Sequence, residues 1–107
     1  GNVPRIYNLV LPDNLKAIGD RAFYGQSLSG SLIIPEGVKE IGESAFCGCE
    51  NLSGNLSLPS TLVEIGSYAF DGCPFTCELS LPQNLKSIGH CIIAVVFMEI
   101  LYYQKDY

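Results

Sequence analysis

Ser29-Gly30-Ser31-Leu32-Ile33-Ile34-Pro35-Glu36-Gly37-Val38-Lys39-Glu40-Ile41-Gly42-Glu43-Ser44-Ala45-Phe46-Cys47-Gly48-Cys49 decides the fold of this chain, because nearly the same wording stands on both sides of it. Leu11-Pro12, Ile18-Gly19 and Ala22-Phe23 come before it. Leu58-Pro59, Ile65-Gly66 and Ala69-Phe70 come after it, and Leu81-Pro82 with Ile88-Gly89 begin a fourth copy. The prolines at 12, 35, 59 and 82 step by 23, 24 and 23 residues, and so do the glycines at 19, 42, 66 and 89. A period that short marks a solenoid: one copy is too small to bury its own apolar face and must stack on the next. The copies run over approximately 8–30, 31–54, 55–77 and 78–91, within a single domain over 1–107.

Before each proline the residues alternate. Leu9/Leu11, Leu32/Ile34, Leu56/Leu58 and Leu79/Leu81 point inward, and Asn8/Val10, Ser31/Ile33, Asn55/Ser57 and Glu78/Ser80 point out. Period two means strand, and proline ends it because it has no N–H to give a neighbour. A second apolar pattern follows, Leu15-x-x-Ile18, Val38-x-x-Ile41, Leu62-x-x-Ile65 and Leu85-x-x-Ile88, read as a second extended segment on the opposite wall. The glycine after it predicts either a positive φ or a close backbone approach. Asp20–Phe23, Glu43–Phe46 and Ser67–Phe70 then read as single helical turns with Ala-Phe facing in. Leu28, Leu52 and Phe75 complete the inward set, and the one-residue difference between copies falls within Gly48–Ser53, where a loop absorbs it.

The joint pattern over Leu9 to Gly89, with Ile-Pro, Ile-Gly, Ala-Phe and Cys at fixed offsets, resembles the BspA-type leucine-rich repeat. The fold expected is an α/β-type repeat solenoid, mostly β: a right-handed leucine-rich-repeat coil of about four repeats with a parallel sheet, short second strands and single helical turns. The resemblance implies a surface or secreted protein of the kind found in anaerobic host-associated bacteria and some protozoa, binding host proteins or other cells. It offers no catalytic motif and no cofactor to carry over.

Composition narrows the partners. A net charge of −5, a pI near 4.6 and only four Lys and two Arg, scattered along the chain, argue against nucleic acid, which needs clustered cations. After Gly89 the pattern departs: the Ala-Phe slot becomes Ile92-Ile93 and an apolar run continues to Tyr103. An apolar run of that length, about ten residues and broken by Glu99, is too short for a membrane span, which takes about twenty. Residues 92–107 read first as an atypical terminal cap. The alternative is a projecting segment that pairs two chains as a homodimer through Phe97, Ile100, Leu101, Tyr102 and Tyr103. The chain opens on Gly1 instead of methionine, which reads as a processed or recombinant piece that has lost any targeting segment.

Few residues invite chemistry. The cysteines Cys47, Cys49, Cys73, Cys77 and Cys91 are odd in number, so at least one thiol stays unpaired. Cys49 and Cys73 share a repeat position and come within bridging distance if the coils stack, yet two buried thiols are the favoured reading, and Cys73–Cys77 is a weaker pair. His90 sits in the slot of Asp20, Glu43 and Ser67 and reads as exposed, and no zinc-ligand spacing surrounds it. Glu36, Glu40, Glu43, Glu50, Glu64 and Asp71 read as a solvated face because they fall at unlike repeat positions. Asn51-Leu52-Ser53 and Asn55-Leu56-Ser57 fit the glycosylation acceptor pattern, as an Asn- and Ser-rich repeat will by coincidence.

The expected role is therefore a non-enzymatic protein-interaction or adhesion module, secreted or at a cell surface, with no cofactor and no metal. The candidate binding face is the outward row Asn8, Val10, Ser31, Ile33, Asn55, Ser57, Glu78 and Ser80. Glycan binding on the same face ranks lower because that row has no aromatic platform. A spacer within a longer repeat array, and a thiol enzyme, are the remaining alternatives.

Overall fold

Leu32 and Leu56 occupy the same place in adjacent copies, and in the computed structural model, which describes residues 8–75 and 82–89, they lie side by side. Strand β2 (Leu32–Ile33) pairs in parallel with β4 (Leu56–Ser57), with Leu32 against Leu56 and Ile33 against Ser57. After the proline, β1 (Ala17–Ile18), β3 (Glu40–Ile41), β5 (Glu64–Ile65) and β6 (Ser87–Ile88) form a four-stranded parallel sheet in the order β1-β3-β5-β6. Every pairing joins equivalent residues one repeat apart, as in Ile18 to Ile41, Ile41 to Ile65 and Ile65 to Ile88. The solenoid reading holds. The post-proline segments, expected as the lesser element, make the broader of the two described sheets. Asn8–Leu11, expected as the first strand, is not paired into either sheet, although Leu9 and Leu11 do turn toward the core.

Like side chains stack into buried columns between the two sheets. Ile18, Ile41 and Ile65 form one, Leu28, Leu52 and Phe75 a second, and Val38 with Leu62 a third, and no polar side chain is buried among the described residues. The phenylalanines fill the widest part of the coil. Phe23 and Phe46 stack with centroids 5.1 Å apart and planes 9° from parallel, Phe46 and Phe70 at 5.4 Å and 5°, and Phe75 meets Phe70 edge-on at 6.1 Å. At about 1.5–3 kcal/mol per fully buried large apolar side chain, these columns are the main source of stability.

The corner between the sheets differs from the single helical turns expected of Asp20–Phe23, Glu43–Phe46 and Ser67–Phe70. Arg21, Ser44 and Tyr68 have φ of 57°, 56° and 59°, in the left-handed region. The reason is the destination of the N–H groups. Arg21, Phe23 and Gly25 donate to the carbonyls of Glu43, Ala45 and Cys47 in the next coil, at 2.7–2.8 Å. The intervening Ala22, Tyr24 and Gln26 donate back to Gly19, Arg21 and Phe23 at 3.2 Å. An α-helix keeps its bonds within itself, whereas this corner sends every second N–H to its neighbour, which requires alternating backbone conformation. The left-handed state costs a non-glycine residue about 1–2 kcal/mol, part of which glycine would lose again as unfolded-state freedom. Ser44→Gly is therefore expected to raise stability by about 0.5–1 kcal/mol in urea unfolding, and an unchanged midpoint would count against that strain.

Glycine at 42, 66 and 89 answers the second of the two reasons offered by the sequence, close approach. None of these has positive φ; a Cβ there would lie 2.5, 2.5 and 2.2 Å from the backbone nitrogens of Asp20, Glu43 and Ser67 in the preceding coil. The extra residue of the second copy is absorbed where expected. Glu50 and Asn51 bulge outward, with Glu50 N–H bonded to Gly48 O and Ser53 N–H to Asn51 O, while Leu52 stays fully buried.

Candidate functional site

Residues that alternate along a strand leave one row outside, and the β2–β4 sheet, with the unpaired Asn8–Leu11 segment of the first copy, presents the row foreseen for it. Asn8, Val10, Ser31, Ile33, Asn55 and Ser57 are all exposed, with Val10 88% and Ile33 68% accessible. Hydrogen bonds hold part of the row in place: Ser29 Oγ donates to Asn8 Oδ1 at 3.1 Å, and Asn55 N–H to Ser31 Oγ at 2.9 Å. Glu78 and Ser80 lie outside the described residues, as do His90, Cys77, Cys91 and the tail residues Phe97, Ile100, Leu101, Tyr102 and Tyr103.

Next to the proline turn, side chains join coil to coil. Glu36 accepts from Ser60 N–H at 3.0 Å and from Ser60 Oγ at 2.8 Å, Gly37 N–H donates to Thr61 Oγ1 at 2.9 Å, and Thr61 Oγ1 donates to Val38 O at 2.8 Å. The Ser60 backbone N–H, then its hydroxyl, hold the Glu36 carboxyl below the ordinary glutamate value of 4.5. A depressed carboxylate adds stability that is present above the unfolded value and lost as pH falls through the folded one. The folded chain is thus expected to weaken below about pH 4.5, and Glu36→Gln to flatten that part of the profile in urea unfolding at stepped pH. An identical acid limb in the variant would show that Glu36 is not responsible.

The described cysteines, Cys47, Cys49 and Cys73, are free thiols. Cys49 Sγ donates to Phe23 O at 3.2 Å and Cys73 Sγ to Phe46 O at 3.0 Å, each reaching one coil back, and both side chains are buried. The hydrogen bond with the Cys73 thiol holds Cys49 below the ordinary thiol value, whereas the neighbouring Cys49 thiol and burial push Cys73 up, and burial, followed by Asp71, pushes Cys47 up. The shifts of Cys47 and Cys73 favour the protonated thiol, the opposite of what activates a nucleophile, and Cys49, the one lowered, is fully buried.

Sequence reading missed a surface on the four-stranded sheet. A groove of about 550 Å³ runs along it, floored by the recurring glycines and lined by Ala17, Asp20, Glu40, Glu43, Glu64 and Ser87 among others, with no lysine or arginine in its wall. The carboxylates were read as falling at unlike repeat positions, and for Glu40 and Glu64 this is wrong: they pair in register on β3 and β5. The signal was present in the sequence, since each directly precedes the buried isoleucine of its strand. Among the described residues no group of three or more His, Cys, Asp or Glu is placed to hold a metal, and no helix is long and apolar enough to cross a membrane.

A family model described as "BspA type Leucine rich repeat region (6 copies)" matches residues 2–103. Among solved structures, a T. pallidum leucine rich repeat protein is similar at 29% identity and a TM-score of 0.59, over 78% of this chain and 51% of its own length. This chain thus spans about half of that relative. No curated protein matches it.

Proposed function

Because this chain belongs to the BspA-type leucine-rich repeat family, we propose that it is a protein-interaction module whose outward row on the β2–β4 sheet holds a protein partner in adhesion at a bacterial cell surface. One observation carries the choice of face: Val10 and Ile33 stand largely in water, 88% and 68% exposed, in successive copies amid short polar side chains. Apolar groups set in a polar surround match the anatomy of an interface centre, where desolvating a few anchors supplies most of the affinity. The described row has no aromatic side chain on which a sugar would stack, which favours protein over glycan. Membership of a family typically associated with the bacterial surface supports the location.

The test is adherence of beads coated with the full chain to host cell monolayers. Ile33→Arg is expected to lower bead adherence about tenfold, the effect of removing an anchor worth about 1.4 kcal/mol, with unfolding unchanged because the side chain is already exposed. Adherence that survives Ile33→Arg and Val10→Arg together would discard this face, and no adherence by the original chain would favour a spacer role.

A further inference from the structure

The groove on the four-stranded sheet faces away from the β2–β4 row and has a character of its own. Glu40 and Glu64 sit directly opposite each other on neighbouring strands, about 4.8 Å apart by strand spacing. Like charges in that relation destabilise a sheet. The fold has cations close in sequence, Lys39 and Lys86, yet none lines the groove, and the Lys16 ammonium lies near Gly37 instead. Glu43 and Asp20 add carboxylates at the rim, although Asp20 Oδ1 already accepts the Glu43 N–H at 2.8 Å. The other two strands show that acid is not required here: the same register position holds Ala17 on β1 and Ser87 on β6.

Between the acidic side chains the groove is lined by small residues, Ala17, Ser67, Ser87 and the recurring glycines. Three strand spacings from β1 to β6 make a trough of about 14 Å, the length of about four extended residues. The carboxylates come from three successive coils, Asp20, then Glu40 and Glu43, then Glu64, about two strand spacings or roughly 10 Å end to end, and no three of them are placed to hold a metal ion. A second copy of this chain, carrying −5, would bring like charge to like.

We propose that this groove docks an extended lysine- or arginine-rich segment of a partner protein, on the wall opposite the adhesive row and independently of it. Its recognition is electrostatic complementarity, with each carboxylate contributing modestly and salt weakening the whole.

The test is fluorescence anisotropy of a labelled lysine octapeptide titrated with the full chain at low and at physiological salt. Salt-sensitive binding is expected, weakened about fivefold in Glu40→Gln/Glu64→Gln, the effect of two exposed charge pairs of typical strength. A control double, Asp13→Asn/Glu50→Gln, removes the same charge elsewhere and is expected to change binding less than twofold. Glu40→Ala/Glu64→Ser, which copies the residues used on β1 and β6, provides a second pair whose fold is not in question. Equal weakening in groove and control doubles would overturn the proposal in favour of diffuse attraction. So would absence of peptide binding at low salt, or displacement of the peptide by calcium at millimolar concentration. Ile33→Arg is expected to leave peptide binding intact, so failure here and failure of the adhesive face are separate results.

Discussion

Phe46→Ala is expected to lower the unfolding free energy by about 3–5 kcal/mol, the range for deleting a large aromatic from a packed core. The ring is fully buried and stacked on both faces, by Phe23 at 5.1 Å and Phe70 at 5.4 Å. Truncation removes two stacking contacts and leaves a cavity that neighbours fixed by coil-to-coil hydrogen bonds cannot refill. For a domain whose whole stability is about 5–15 kcal/mol, the loss is a large fraction of the total. Phe23 offers the internal comparison, since its ring is only partly buried and stacks on one described partner. Phe23→Ala should cost less than half as much in urea unfolding. Equal losses would mean that the phenylalanine column does not carry the coil stack.

The second large effect comes from adding a single methyl group. Gly66→Ala places a Cβ 2.5 Å from Glu43 N, 2.7 Å from Gly42 C and 2.9 Å from Glu43 Cα, all main-chain atoms that no rotamer change can move aside. The two coils must separate, lengthening bonds such as Gly66 N–H to Ile41 O at 2.7 Å. Overpacking usually costs about 1–3 kcal/mol, and a clash with backbone on both sides belongs at or beyond the top of that range. The melting temperature should drop by about 10 °C or more, given about 4–8 °C per kcal/mol for a domain near this size. Gly19→Ala is the control: a Cβ there meets nothing within 4 Å, and the protein should melt within a degree or two of the parent. If Gly19→Ala and Gly66→Ala behave alike, close approach is not why the glycine recurs.

Much of this was legible in the primary structure because stacking forces equivalent residues into contact. A leucine, isoleucine or phenylalanine that returns every 23 or 24 positions either builds a column or is wasted on solvent, and the columns of Ile41, Leu52 and Phe46 are those the period indicated. The buried thiols of Cys49 and Cys73 followed from the same logic. The corner was not legible, because Arg21, Ser44 and Tyr68 carry none of the usual marks of left-handed backbone. For Arg21 and Ser44 the conformation is imposed by acceptors in the next coil, Glu43 O and Ser67 O, which local sequence does not show. The groove escaped for a related reason. Glu40 and Glu64 each look like ordinary surface glutamate, and only the register of β3 against β5 makes them a pair.

The forward-pointing amides of the corner bear on how such genes change length. Arg21 N–H bonds to Glu43 O and Ser44 N–H to Ser67 O, so donor and acceptor are interchangeable from one turn of the rod to the next. Excising the whole second turn would offer Arg21 the oxygen of Ser67 in place of that of Glu43, with the joint remade in kind. Unequal recombination can thus shorten or extend the protein by entire turns at little structural penalty, whereas a residue lost outside the Gly48–Ser53 bulge, within the corner or a strand, would throw that turn's amides out of step with the next.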